Sequence, residues 1–378
     1  MNSILFFSLL ISIAYFFLML RWRIAWNKIP ANEYHEVAEE LKISVIIPVR
    51  NEAANIVYVL RSVAAQNYPL HLFEIIISDD QSDDETVSLV KNFITGNPQI
   101  NIRVIEAGSK NFSSKKSAIK KAVDHTNGSL VVTTDADCLH HKDWLITVAN
   151  YFKQKNAVMI CGPVLLKGEK NFLHQFQQAE YTSMQICGAA ALHLQQPLLC
   201  SGANLAFGKE YFYKVNGYDD DLIHSSGDDT FLMLKMHKQF PGRIHFLKSS
   251  KAIVTTPAVA DFKTFLRQRA RWISKTKFYS GAFIPFTGLF ISVTNLLFPL
   301  LVLSSLFFHL SIVIAIACLM IKTGSDLLII SEGKKFFQMR VSKFSFVMME
   351  AIYPVYLLIL ATQFFTKHTE WKKRKQQV

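Results

Sequence analysis

Asp135 and Asp137 stand one residue apart in Thr134-Asp135-Ala136-Asp137, directly after the strand-like run Ser129 to Thr133. Side chains alternate along a strand, so two carboxylates spaced by one residue at its end can converge on one point. Oxygen ligands of this kind favour Mg²⁺ or Mn²⁺, and such a cation can grip a diphosphate. The competing reading is helix capping for the segment near Lys142-Asp143-Trp144. A similar cluster, Asp219-Asp220-Asp221, follows Asn216-Gly217-Tyr218 and reads as a solvated turn.

Three further constellations could carry chemistry. Asp79-Asp80-Gln81-Ser82 closes a second strand-like run and suits either turn chemistry or recognition of a uracil N–H or a ribose hydroxyl. Ser226-Gly227-Asp228-Asp229-Thr230 opens a helix; its carboxylates suit capping or, with mutual repulsion raising one pKa, general base work. In Gln268-Arg269-Ala270-Arg271-Trp272 the plain reading is an interfacial helix with snorkelling arginines and a belt tryptophan. The functional reading lets Arg271 neutralise a leaving diphosphate and Trp272 stack on a sugar ring. His140 or His224 could add a metal ligand, although a lone histidine is more often structural.

The elements that must hold these groups alternate between strand and helix. Strands are expected at Ile43–Pro48, Phe73–Ser78, Ile102–Ile105 and Leu130–Thr133, with helices at Ala53–Gln66, Thr86–Phe93, Lys115–His125 and Phe231–Lys238. Continuous apolar strands between helices predict an α/β fold with a doubly wound, mostly parallel sheet. Ligands of such sheets bind beyond the carboxyl ends of the strands, where the acidic clusters of these strands fall.

Half of the 378 residues are hydrophobic, and the apolar stretches gather at the two ends. Ile4 to Leu20 is uncharged and spans roughly 25 Å as a helix, enough for a bilayer core. Arg21-Trp22-Arg23 follows it in place of a cleavage site, so an uncleaved anchor with a belt tryptophan is expected. Ala282 to Ile321 lacks Lys, Arg, Asp and Glu and predicts two spanning helices with a turn near Ser304 and Ser305. Phe346 to Phe365 carries Glu350 and Pro354, which suits a broken or protein-facing segment. The domains are then an anchor at 1–24, a cytoplasmic α/β domain at 42–255, an interfacial helix region at 256–281 and a membrane region with a basic tail at 282–378.

The net charge of +12 gathers near membrane edges and points to anionic lipid; no basic stripe interleaved with aromatics suggests nucleic acid. Lys334, Lys335, Arg340 and Lys343 mark one loop as cytoplasmic, as Lys372 to Lys375 mark the tail. Five scattered cysteines without metal-type spacing fit a reducing compartment. An integral membrane protein of an inner or plasma membrane is expected.

In their order and spacing these motifs resemble the family-2 glycosyltransferases, especially the membrane-bound synthases of the cellulose, chitin and hyaluronan type. The resemblance runs through Val45 to Glu52, Asp79-Asp80, Lys115 to Ala118, Asp135 to Asp137, Ser201 to Asn204, Gly227 to Asp229 and Gln268 to Trp272. It implies a GT-A fold, a nucleotide-sugar donor (a UDP-sugar) and a Mg²⁺ or Mn²⁺ cofactor. Pro48, Arg50, Glu52, Asp79, Asp80, Lys116 and Asp135 match donor-binding positions, and Asp135 with Asp137 matches the metal motif. Asp229 matches the general base, with Asp228 where the family usually has Glu. Asn204, Gln268, Arg271 and Trp272 match positions for the diphosphate and the acceptor. Arg50 stands where several synthases have Tyr.

The expected reaction is inverting transfer to a membrane-associated, lipid-linked or polysaccharide acceptor, with a single transfer to a lipid-linked acceptor as the alternative to chain extension. A sugar nucleotidyltransferase is the rival from another class. It would need a Gly-rich loop after the first strand, where Asn51-Glu52-Ala53-Ala54 stands.

Overall fold

The computed structural model describes residues 2–31, 41–106, 115–169, 171–218, 228–279, 281–308, 312–364, 368–371 and 374–377. The chain divides into two compact units. One holds Ile29–Lys167 and Leu199–Pro257; the other holds Met1–Lys28, Gly168–Leu198 and Ala258–Val378.

The first is a sheet unit. Its elements in chain order begin with β1 (Ile43–Val49), α2 (Ile56–Ala64), β2 (Phe73–Asp79), α3 (Thr86–Gly96), β3 (Ile102–Glu106), α4 (Lys115–Asp124) and β4 (Leu130–Thr133), the label α1 being kept for Asn2–Lys28 of the other unit. They continue with α5 (Trp144–Gln154), β5 (Met159–Cys161) and β6 (Val164–Lys167). After α6 (Phe172–His193), which belongs to the other unit, come β7 (Leu205–Gly208), α7 (Lys209–Lys214), α8 (Asp228–Gln239), β8 (Ile244–Phe246) and β9 (Val254–Pro257). Seven strands form one sheet in the order β3-β2-β1-β4-β7-β5-β8, and β6 pairs with β9 apart from it.

The four strands β3, β2, β1 and β4 run parallel, and β7 runs against both β4 and β5. Every residue of β2 and of β4 is buried, as continuous apolar strands covered on both faces require. The expected strands match the observed ones to within a residue. The helices differ more: α2 begins at Ile56 because Glu52 and Asn55 take up the preceding turn, with Asn55 N–H donating to the Glu52 carbonyl.

The second unit is helical. Besides α1 and α6 it contains α9 (Phe262–Ser274), α10 (Phe283–Phe308), α11 (Ile312–Phe337) and α12 (Lys343–Phe364), and a short pair of strands, β10 (His368–Trp371) and β11 (Arg374–Gln377). Four of its helices, within α1, α10, α11 and α12, are long and apolar enough to cross a membrane.

Three expectations change here. Of the two readings of 346–365, one unbroken helix running through Pro354 replaces the broken segment, while Glu350 faces protein as the other reading had it, accepting from Lys322 Nζ of α11 at 2.7 Å. Lys322 also holds Asp326 at 2.8 Å, and Tyr15 of α1 donates to Asp326, so the charges of this region are tied to one another within the bundle. The segment Gly168–Leu198, expected inside the 42–255 domain, packs with the helical unit; its glutamines and Glu180 hid it from any hydropathy reading. Trp22 is 1% exposed, not facing lipid as a belt residue. Its neighbour Arg23 pairs with Glu332 at 2.9 Å, and the fully buried Trp26 meets Phe336 edge-on.

Removing one partner of a buried ion cluster strands the others, at a cost of about 3–5 kcal/mol. Lys322→Met should therefore lower the melting temperature in detergent sharply. Adding Asp326→Asn and Glu350→Gln to it should restore most of the loss, because the triple variant has no stranded charge. A triple variant no more stable than the single would show that the cluster is not what holds these helices.

Candidate active site

Parallel pairing puts the carboxyl ends of β2, β1 and β4 along one edge of the sheet. Val49 of β1 is in register with Asp79 of β2, and Ile46 of β1 with Thr133 of β4. The segments that follow, Arg50–Glu52, Asp80–Ser82 and Thr134–Asp137, therefore leave the sheet at the same edge.

The first two of these segments are laced together. Asn51 turns the chain with φ 53°, a left-handed conformation that asparagine tolerates better than most residues. Its Oδ1 accepts Asp83 N–H at 2.9 Å, and its own N–H donates to Ser82 Oγ at 3.0 Å. Glu52 N–H donates to Thr86 Oγ1 at 2.8 Å, which fixes Glu52 over the start of α3. Asp79 is buried and accepts Ser82 N–H, so it does the turn work that was the plain reading of this cluster. Arg50 Nη1 donates to the Asp80 carbonyl at 2.7 Å and lies 3.5 Å from the Asp80 carboxylate. Arg50 is thus a brace on Asp80, joining the ends of β1 and β2. Pro48 sits half-buried within β1.

Asp135 and Asp137 lie in a tight turn past β4, closed by Cys138 N–H to the Asp135 carbonyl at 3.1 Å. Leu139 then pairs with Thr255 in both directions, at 2.8 and 2.9 Å, pinning the turn to β9. The next helix, α5, starts only at Trp144 after Asp143, so neither aspartate caps it. Asp135 accepts Lys115 Nζ at 2.5 Å. The sequence reading favoured Lys116 for donor binding; the structure instead turns Lys116 inward, fully buried, with its ammonium 4.5 Å over the Phe231 ring of α8. The two lysines are adjacent on α4, so only one can face the aspartates.

Burial, together with the negative charges of Asp135 and Glu52, pushes the Asp137 carboxyl up to about 6. Crowded negative charge of this kind fits a cation. Among the described residues no three His, Cys, Asp or Glu side chains converge, so the described part of the site offers two carboxylates. That donor set fits Mg²⁺ or Mn²⁺, which commonly take one or two carboxylates and complete their shell with water and substrate phosphate. His140 is not among the ligands. Its two ring nitrogens bond the hydroxyls of Ser62 and Thr134 at 2.9 and 2.8 Å, its ring lies 4.1 Å from that of Trp144, and burial lowers its pKa to about 3. It is a neutral strut beneath Thr134. His224 lies outside the described residues.

Asp229 reaches the same edge through a backbone relay. Thr133, the last residue of β4, pairs with Leu205 of β7 and donates its hydroxyl to the Gly202 carbonyl at 2.9 Å. Gly202 N–H in turn donates to Asp229 Oδ2 at 2.9 Å, and Thr230 N–H to Oδ1 at 2.8 Å. Both oxygens of Asp229 are therefore oriented from backbone groups, and the carboxylate is anchored beside the end of β4. Ser226, Gly227 and the side chain of Asp228 lie outside the described residues.

Asn204 is corrected from a diphosphate or acceptor contact to a frame residue. It is 2% exposed; its Oδ1 accepts Trp144 Nε1–H at 3.0 Å, and its Nδ2 donates to the carbonyls of Pro163 and Ala252, both at 2.8 Å. Gly162 lets this amide through, since a Cβ there would stand 2.3 Å from it. Gln268, Arg271 and Trp272 lie half-buried on α9 of the helical unit, whose first turn is capped by Asp261 accepting Thr264 N–H at 2.9 Å. Gln268 Oε1 accepts from Arg269 Nη1 at 2.7 Å, and the Trp272 ring lies 5.6 Å from Tyr181. Sequence reasoning passed over Lys115, Gly202 and Arg269. All three stand inside the motifs named above, but which of two neighbouring cations faces a carboxylate depends on helix phase.

Comparisons with known proteins bear on the family and the fold. The family model described as "Glycosyl transferase family 2" matches residues 44–213, and that described as "Glycosyl transferase family group 2" matches residues 130–363. Glycosyltransferase AglE of Haloferax volcanii is 31% identical over 103 residues, which are 27% of this chain and 33% of that protein. The probable glycosyltransferase YdaM of Bacillus subtilis is 26% identical over 244 residues, 64% of this chain and 56% of its own length. This chain thus aligns with only a third to about half of those two relatives. Hyaluronan synthase of Streptococcus pyogenes is 25% identical over 308 residues, 74% of this chain and 72% of the synthase. Among solved structures, mannosyltransferase PcManGT from Pyrobaculum calidifontis, in complex with GDP-Man and Mn²⁺, superposes with a TM-score of 0.59 at 18% identity, covering 98% of this chain and 100% of the other, so the fold is GT-A-like. A family model spanning more than half of the chain, on a GT-A-like sheet with its acids at the strand ends, makes this chain a member of the family-2 glycosyltransferases.

Proposed function

We propose that the chain transfers a sugar from a nucleotide-sugar, a UDP-sugar in our reading, to a membrane-associated or polysaccharide acceptor, with inversion at the anomeric carbon. The relay Thr133–Gly202–Asp229 carries this reading, because it anchors an oriented carboxylate at the sheet edge that also bears Asp135 and Asp137. The GDP-Man and Mn²⁺ bound by the mannosyltransferase and the polymer named in hyaluronan synthase support the donor and acceptor classes.

The roles in this reading are those the resemblance implies, and the geometry supports them. Of the pair Asp79 and Asp80, Asp79 closes the turn, and Asp80, braced by Arg50 and set beside Pro48 and Glu52, receives the base and ribose. Asp135 and Asp137 would hold Mg²⁺ or Mn²⁺, which when bound neutralises charge on the leaving diphosphate. Asp229 takes the proton of the acceptor hydroxyl as that oxygen attacks the anomeric carbon. Attack opposite the leaving group gives a β-linkage from an α-linked donor. On the resemblance, Gln268, Arg271 and Trp272 serve the diphosphate and the acceptor. In this reading the sheet unit is cytoplasmic, as is the basic loop that carries Lys334, Lys335, Arg340 and Lys343.

Asp229→Asn should lower transfer by about 10²–10⁴-fold, the usual worth of a general base, while donor affinity stays within a few-fold. Turnover at the wild-type rate would remove Asp229 from that role. A radiolabelled donor gives the acceptor mode: a ladder of products reports chain extension, and one added sugar reports single transfer to a lipid-linked acceptor.

The crowded carboxylates predict a second behaviour. A carboxyl raised from 3.8 to about 6 by folding costs stability above pH 6, and that cost vanishes below pH 4. Two pKa units set a ceiling near 3 kcal/mol, and solvent contact reduces it to about 1–2 kcal/mol. In chelator at pH 7.5, Asp137→Asn should melt above wild type by a few degrees, with the gap closing toward pH 4. A variant less stable than wild type at pH 7.5 would mean that Asp137 is a structural hydrogen-bond acceptor and not a strained charge.

A further inference from the structure

The helical unit buries a guanidinium in the middle of the Gln268–Trp272 motif. Arg269 is 2% exposed. Its Nε donates to Glu180 Oε2 of α6 at 2.7 Å, and Glu180 Oε1 accepts the Tyr356 hydroxyl of α12 at 2.5 Å. Its Nη1 donates to Gln268 Oε1. Its guanidinium carbon lies 4.1 Å from the Trp272 ring centre, 4.7 Å from that of Phe265 and 5.9 Å from that of Tyr181. Its remaining nitrogen, Nη2, is buried with no hydrogen-bond partner among the described residues.

A buried arginine with one unmade bond is costly, and salt-bridging to Glu180 alone does not require it to touch Gln268 and Trp272. Arg269 makes both contacts at once. By donating to Oε1 it fixes the flip of the Gln268 amide, leaving the two N–H donors of that amide directed away from Arg269. By lying against the indole, with Tyr181 as a second ring neighbour, it fixes the plane of Trp272. Glu180 and Tyr356 hold Arg269 itself, from helices remote from α9 in sequence. The surrounding core of Phe176, Phe265, Leu266, Met349 and Tyr356 excludes water that would loosen the pair.

We propose that Arg269, anchored by Glu180 and Tyr356, is the positioning residue of this motif: it sets the amide of Gln268 and the ring plane of Trp272 for the sugar acceptor. The inference rests on the reading that Gln268 and Trp272 serve the acceptor. Arg269 acts through those two side chains and is not itself assigned to the reacting atoms. A lysine at this position would keep the charge toward Glu180 but lose the planar fork that reaches Gln268 and faces Trp272 together.

The test compares acceptor and donor kinetics in the full-length enzyme. Arg269→Lys and Tyr356→Phe keep the bulk and most of the charge of the cluster, so folding is checked by melting temperature and donor binding. Arg269→Lys should raise the acceptor KM by tenfold or more, with donor KM and acceptor-independent donor hydrolysis within twofold of wild type. Tyr356→Phe should raise the acceptor KM severalfold, and the double variant should fall short of the product of the two effects, because both act on one orientation. Trp272→Ala and Gln268→Ala serve as the separate check on the parent reading. If they leave the acceptor KM unchanged, the acceptor assignment fails. If they raise it while Arg269→Lys does not, or if Arg269→Lys lowers kcat and donor binding alike, positioning by Arg269 is overturned.

Discussion

Like charges repel, and the sheet unit must hold several carboxylates at one edge. Parallel pairing of β1 with β2 and β4 forces the issue, because it points three chain segments the same way and each carries acids past its last paired residue. The strands themselves are anchored by burial; β2 and β4 expose nothing, so their ends cannot slide without moving a core strand. What remains is to restrain the loops, and this is done with backbone donors and two cationic side chains. Ser82 N–H bonds Asp79, Arg50 braces Asp80, Lys115 meets Asp135, and Gly202 and Thr230 N–H groups hold Asp229. Asp137 is the exception. Its partners are the weak donor of Cys138 and the hydroxyl of Thr256, and its carboxyl is pushed upward where those of Asp84 and Glu74 are drawn down by their donors. The least compensated charge thus sits in the pair that suits a cation.

The helical unit handles buried charge by pairing it. Lys322 ties Asp326 of its own helix to Glu350 of the next, while Arg23 takes Glu332 and Arg269 takes Glu180, each of these two pairs joining helices distant in sequence. In an apolar environment such links specify which helix lies against which, since an unmatched partner is expensive. Polar residues inside apolar helices therefore act as registration marks. They also explain why α6, too polar to cross a membrane, nevertheless packs with helices that can.

Much of the sheet unit was legible. The strands β1 to β4 are short apolar runs bounded by polar clusters, and burial on both faces makes such runs unambiguous when helices separate them. The acidic clusters were legible because their strand-end position is a local property. The antiparallel β7 was not, since Leu205–Gly208 is a short apolar run with no turn signal to orient it. The fate of Asn204 was equally hidden: an asparagine can face a ligand or clamp three loops, and only the positions of Trp144, Pro163 and Ala252 decide. The same holds for Lys115 against Lys116. For the helix at 343–364 the sequence left a broken and a protein-facing reading open, and only the position of Lys322 opposite Glu350 decides for the second.

We propose that Asp135 and Asp137 hold a divalent cation on which the diphosphate of the donor depends. Electron paramagnetic resonance of Mn²⁺, titrated into the purified protein with and without nucleoside diphosphate, addresses it without turnover. Nucleotide should strengthen Mn²⁺ binding to the wild-type protein, and Asp135→Ala with Asp137→Ala should abolish this gain while the protein stays folded. Equal Mn²⁺ affinity in wild type and the double variant, with nucleotide present, would contradict it.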